Sequence, residues 1–306
     1  MRSLVLLAAI LFTTHSAAVA AEEGELTLAP AGHWQLDYGD ERCRLGRFFG
    51  TGELRTLFLL EQLGPSAYFT WTLAGEPLKR LRDGNEVNVQ FGPSLGGWTY
   101  DYRGMTFRDI GVATMGSGPV SAGPMTEGGS DASMEAEAAP PNPVAHYKAL
   151  DPDQGSQIEW LSLQSDRIGT VRLELGDMGP AFAAMNTCVE DLVASWGVDV
   201  ALQKTVVQPP VWKNQNKVAR RIQENYPFKA LINGNQAMLN MRIIVDALGK
   251  PEACKLTDIT LAKNFDMDKD PCYWVMRQAE FAPALDWEQK PVRSMHNTAI
   301  RYTLQP

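Results

Sequence analysis

A chain of 306 residues, 44% hydrophobic and 21% charged, has the balance of an ordinary globular protein and enough length for two cores. Its formal net charge of −8 leaves no excess of Lys and Arg to neutralise phosphates, which argues against a nucleic-acid partner. The first residues read as a secretory signal peptide over 1–20: Arg2, an apolar run from Leu4 to Phe12, then small residues ending Ala18-Val19-Ala20. That run is well short of the roughly 20 apolar residues that span a bilayer, and Thr13, Thr14, His15 and Ser16 interrupt it. The expectation is a mature chain from about Ala21, periplasmic and without a stable membrane anchor.

From His33 to Gly111 the pattern is short strands parted by turn signals: HWQLDY, LRTLFLLEQL, AYFTWTLAG, NEVNVQF and WTYDYRG, with breaks such as Leu63-Gly64-Pro65-Ser66. Aromatic and β-branched residues dominate these runs, as half-buried antiparallel strands require. Between Ser117 and Pro143 the composition turns to Gly, Ala, Pro, Ser, Glu and Met, which predicts a flexible insert. Met115, Met125 and Met134 have neither His nor Cys beside them, so they are not read as a copper site. Strand-like sequence resumes at Ile158 and at Gly169. A helix then runs from Asp177, a possible N-cap, through Pro180 to about Gly197. Ala181, Met185, Cys188 and Leu192 share one of its faces, which turns Cys188 toward the sheet carrying Cys43.

All four cysteines follow the leader, and an even number in an oxidising compartment suggests two disulfides out of three possible connectivities. Element placement favours Cys43 with Cys188 and Cys254 with Cys272. No C-x-x-C pair occurs, so no thiol-exchange or metal site is expected on them.

The boundary falls at Gln208-Pro209-Pro210, where two prolines can continue neither a helix nor a central strand. It divides a β-rich domain with one helix (21–208) from a C-terminal domain (209–306). Asn214 to Asn225 reads as a short helix with Val218 and Ile222 inward and Lys213, Lys217, Arg220 and Arg221 on a basic, solvated face. In MLNMRIIVDALG, Leu239, Met241, Ile243 and Val245 alternate with Met238, Asn240, Arg242 and Ile244, a strand with one apolar and one mixed face. Asp246 to Gly249 supplies a turn and Cys254 to Leu261 a returning strand. Asp270-Pro271 opens a helix whose inward face is read as Cys272, Val275, Met276 and Ala279, and a last strand runs from Met295 to Tyr302. The fold class expected is α+β, with the order strand, strand, helix, strand in the second domain.

Several chemistries fail on their context. Gly92-Pro93-Ser94-Leu95-Gly96 matches a nucleophile pattern, but the strand-like run after it makes a hairpin turn the better account. Asp266-x-Asp268-x-Asp270 begins like a calcium loop, yet Pro271 and Arg277 occupy the positions that need Gly and Glu. His33, His146 and His296 are not paired at ligand spacing and read as surface or structural residues. No phosphate-cradling or dinucleotide motif occurs. No catalytic residue, cofactor or metal is therefore assigned. The charged cluster Asp40, Glu41, Arg42 and Arg44 around Cys43 reads as a solvated turn, and a secreted enzyme with its site there is the alternative.

Tyr226-Pro227, Ala230-Leu231, the strand into Val245-Asp246-Ala247 and Gly249, the helix with Cys272, Phe281-x-Pro283-Ala284, Lys290-Pro291-Val292 and the closing Ile300-Arg301-Tyr302 together resemble the C-terminal domain of the TonB family, over roughly the last quarter of the chain. Ala237 stands where that family carries Gly, and no Pro-rich spacer precedes the domain. The resemblance implies a small α+β domain that offers a free strand edge to an extended segment of an outer-membrane receptor or another envelope protein. The candidate edge is Met295, His296, Asn297, Thr298, Ala299, Ile300, Arg301 and Tyr302; pairing of that edge with a second copy, as a homodimer, is the other expectation.

Overall fold

The computed structural model describes residues 25–119, 146–260, 265 and 270–304, with backbone alone at 258–260. The leader over 1–20, most of the 117–143 insert, Met125 and Met134, and Asp266 and Asp268 of the calcium-like run lie outside the described residues. The fold is mixed α and β and strand-rich.

In the first half come β1 (Leu26–Leu28), β2 (Gln35–Gly39), β3 (Arg42–Phe49), β4 (Thr56–Gln62), β5 (Phe69–Gly75), β6 (Glu86–Pro93), β7 (Gly97–Asp101), β8 (Met105–Phe107) and β9 (Gly111–Gly118). They are followed by α1 (Pro152–Gly155), β10 (Ile158–Ser165), β11 (Gly169–Glu174) and α2 (Gly179–Ser195). One sheet has the order β2-β3-β4-β5-β9-β8, antiparallel throughout; the other is β1-β11-β10-β6-β7, with β1 parallel to β11. Period-two alternation explains why they pack: Phe58 and Leu60 of β4 point inward, as do Val87, Val89 and Phe91 of β6, and both sets join one core. Phe91 lies at its centre, 6.3 Å from Phe58, 5.8 Å from Phe69 and 6.0 Å from Trp98 between ring centroids. Helix α2 adds Phe182, Met185, Val189 and Leu192 to this core, and Cys188 is bonded to Cys43 on β3.

Strand β3 corrects the reading of Asp40 to Arg44 as a solvated turn. Only Asp40 and Glu41 sit in the turn; Arg42 and Arg44 belong to the strand, with Cys43, Leu45 and Phe49 facing the core.

The second half contains α3 (Val200–Gln203), β12 (Val206–Gln208), β13 (Val211–Trp212), α4 (Gln215–Glu224), α5 (Phe228–Ile232), β14 (Ala237–Val245) and β15 (Pro251–Thr260). Then come α6 (Pro271–Gln278), β16 (Phe281–Ala282), β17 (Ala284–Asp286), β18 (Pro291–Val292) and β19 (Ser294–Tyr302). The main sheet is β15-β14-β19, antiparallel, with two small sheets beside it, β12-β17-β18 and β13-β16. Leu239, Met241, Ile243 and Val245 pack under Val218 and Ile222 of α4 and Val275 of α6. The Asp270 carboxylate caps α6 by accepting from the Tyr273 amide at 3.0 Å, and Cys272 is bonded to Cys254 of β15. Met276 is a correction: it is 39% exposed, and the buried face of α6 is Cys272, Val275 and Ala279 with Trp274.

The mixed face of β14 is not given to solvent. Ile244 and Met295 pack into the core of the first half, and Arg242 is 6% exposed. Its guanidinium lies 3.6 Å over the Trp196 ring and 2.6 Å from a Glu41 carboxylate oxygen, a charge contact off hydrogen-bond alignment. Arg42 donates to the Thr257 carbonyl at 2.6 Å and to Glu61 at 3.0 Å. Strand β12 pairs with β17, so the chain on both sides of Pro209-Pro210 enters the same small sheet system. Among the described residues no helix is long and apolar enough to cross a membrane, and two disulfides fit an oxidising compartment.

Candidate functional site: a sheet edge and the cleft beside it

β19 is the outermost strand of its sheet. It pairs with β14 along its whole length, from Ser294 opposite Val245 to Tyr302 opposite Ala237. On its other side no strand lies among the described residues, and residues 295–301 make no backbone hydrogen bond there outside the β14 ladder. Ile300 and Tyr302 are buried, while Asn297, Ala299 and Arg301 are exposed. Half of the amides and carbonyls of such a strand point away from the sheet, which is the geometry that a further strand can extend.

Beside the first half of this edge lies a cleft of about 470 Å³. Ser294, Met295, His296 and Asn297 all line it, although successive side chains of a strand point to opposite faces. The cleft therefore abuts the strand's edge. Pro209, Pro210 and Trp212 form the facing wall, and His146 and Tyr147 enter from a third segment. The buried Gln203 side chain braces the floor: its amide donates to the Arg293 carbonyl at 2.8 Å and its oxygen accepts from Ser294 Oγ at 2.6 Å.

His296 packs against Trp212 and Phe281 at centroid distances of 6.1 and 5.3 Å, and its Nδ1 lies 3.2 Å from the Pro210 carbonyl. A carbonyl can only accept, so Nδ1 carries the proton in this contact and Nε2 keeps its lone pair. Burial pulls the His296 pKa below its ordinary 6.5; the Pro210 bond opposes this and His146 adds to it. Burial, then Lys148, lowers that of His146, and burial, with Glu190, raises Tyr147 to about 12. The cleft is uncharged at neutral pH as far as these three groups go.

The residues of the TonB-like pattern shape the turns and rings around this edge. Tyr226 packs on Tyr302 at 5.1 Å and donates its hydroxyl to the Asn235 carbonyl at 2.5 Å, and Pro227 precedes α5 as its N-cap residue. Asp246 accepts from the Leu248 and Lys250 amides at 2.8 and 2.7 Å and so closes the β14–β15 turn. Gly249, at φ +81°, accepts from the Phe281 amide at 3.1 Å, and Phe281 stacks on Trp212 at 5.3 Å. These motif residues thus hold turns and ring contacts around the strand.

Sequence reasoning treated His146 and His296 as unrelated, and did not single out Gln203 or Trp212. No spacing could signal their meeting, because three segments far apart in the chain supply them. Of the Gly92 to Gly96 run, Gly92 and Pro93 end β6 and Ser94 to Gly96 form the β6–β7 connection, as a hairpin turn requires. Among the described residues no group of three or more His, Cys, Asp or Glu is placed to hold a metal ion. The chain has no match among protein-family models, curated proteins or solved structures.

Proposed function

We propose that this is an exported periplasmic protein that binds an extended segment of an envelope partner, with an outer-membrane receptor the first expectation, by strand addition at β19. The single observation that supports this is the terminal place of β19 in the β15-β14-β19 order, with the outer side of residues 295–301 unpaired among the described residues. Main-chain hydrogen bonds along such an edge give affinity with loose sequence demands. The exposed side chains of Asn297, Ala299 and Arg301 would then meet every second residue of the incoming segment.

The test uses the whole exported chain as bait on outer-membrane extract, beside Thr298→Pro and Ala299→Pro. Amides of neighbouring strand residues point to opposite edges, so one proline removes a donor from the β14 ladder and the other from the open side. The reading expects one envelope protein to be captured by the parent chain and lost with the outward proline variant while that variant keeps the parent's melting temperature. Equal capture by all three, or recovery of the bait alone with a size that grows with concentration, would contradict it; the latter would show pairing of the edge with a second copy.

A further inference from the structure

The cleft beside β19 has a composition that the edge does not explain. Pro209, Pro210 and Trp212 give it an apolar, partly aromatic wall, whereas its polar end carries the imidazoles of His146 and His296. No Asp or Glu lines it, although acidic residues outnumber basic ones by 36 to 28 in the chain as a whole. Its volume, about 470 Å³, lies at the small-ligand end of the range for binding sites. Its walls are braced by the Gln203 to Ser294 and Gln203 to Arg293 bonds and by the contact of His296 with the Pro210 carbonyl, so the space is preformed.

We propose that this cleft is a binding site for a small aromatic carboxylate, its ring against Pro209, Pro210 and Trp212 and its carboxylate facing the imidazoles of His146 and His296. A flat apolar ring matches the wall, and an anion matches an end that has no acid and where His296 Nε2, its Nδ1–H being held by the Pro210 carbonyl, becomes a second donor once the ring takes up a proton. A hydroxyl-only ligand would leave two imidazoles to share one donor. An amine would bring a cation to a pair of groups that are themselves cations when protonated.

The charged groups around the pair set the pH dependence. His146 lowers the pKa of His296, and Lys148 lowers that of His146. Beside Tyr147 stand Lys204 and Glu190, which neutralise one another at 2.7 Å. A bound carboxylate supplies a counter-charge to the imidazoles, so binding takes up a proton and strengthens as pH falls toward their lowered pKa values.

The site does not depend on the edge reading, and its test needs no protein partner. Benzoate and its uncharged isostere benzamide are titrated into the whole exported chain, following the Trp212 indole N–H, which donates to Asn214 at 3.0 Å, by NMR; Trp212→Phe assigns the signal. The expected result is a benzoate shift at least about tenfold tighter than that of benzamide at pH 6, an advantage that shrinks at pH 8 and is lost in His146→Ala. The His146→Ala variant is taken forward only if it keeps the parent's melting temperature; His296→Gln is the second check. No shift with either compound, equal affinity for both, or an unchanged preference in His146→Ala would overturn the proposal. Capture of a partner at β19 would stand or fall separately.

Discussion

Gly249 and Gly84 share nearly the same backbone, at φ +81° and +80°, yet their surroundings differ. A Cβ at Gly249 would stand 2.2 Å from the Phe281 carbonyl oxygen, whereas one at Gly84 would meet nothing within 4 Å. Gly84→Ala therefore carries only the left-handed backbone penalty, about 1 kcal/mol, while Gly249→Ala must also push the β14–β15 turn off Phe281 and is expected to cost about 3 kcal/mol. Urea denaturation of both variants checks this; equal losses would refute the close approach. His296 gives a pH signature at the same scale. Because its pKa is lower folded than unfolded, the neutral ring favours the native state, and the contribution is complete above about pH 6.5, the unfolded value, and lost as pH falls from there through the lower folded one. His296→Gln is expected to flatten this part of the stability profile below pH 6.5, and an unchanged profile would contradict the burial.

At the level of elements the two disulfides close loops of very different length, with sequence separations of 18 and 145. In the loop-entropy account, removing the Cys254–Cys272 bond costs about 3 kcal/mol and removing Cys43–Cys188 about 5 kcal/mol. Paired Cys→Ala variants measured by chemical denaturation check the order, which a larger loss at Cys254–Cys272 would reverse. Elements with a clean period were legible in the sequence: β4, β6, β10, α2 and the main face of β14 follow from alternating or helical spacing. In strand β3 Arg42 and Arg44 alternate with buried Cys43 and Leu45, but Gly46 and Arg47 break the period before Phe49, and what makes it a strand is its place between β2 and β4. Strands β12, β13, β16, β17 and β18 are two or three residues long and exist through their partners, which no local pattern encodes. Met276 was misplaced because residues at helical spacing near the margin of a face can lie on either side of it.

Across the whole molecule the two halves are joined by Ile244 and Met295 in the first core and by the contacts of Arg242 with Glu41 and Trp196. The mixed character of the Met238 to Ile244 face was visible in the sequence, but its meaning was not: Arg242 is polar for a charge and a ring on remote segments. Arg242→Ala removes both contacts and leaves half-buried Glu41 with only the exposed Lys255, 3.9 Å away, so a loss of about 2–3 kcal/mol is expected, together with a single unfolding transition for the parent chain. A parent that unfolds in two separated steps, with the variant shifting neither, would show that this junction does not couple the halves. The last strand was read from the sequence as Met295 to Tyr302, but the cleft beside it was out of reach of sequence patterns for the same reason, since His146, Trp212 and His296 meet only when β19 lies beside the chain after Pro209-Pro210.

The measurement that tests strand addition most directly is amide hydrogen exchange along β19, residue by residue, in the free chain and with its captured partner. Alternating slow and fast amides over 297–301 in the free chain, with the fast ones slowed at least about tenfold by the partner, is the predicted result. Uniform protection in the free monomer, or fast amides that stay fast when the partner is bound, would contradict the account.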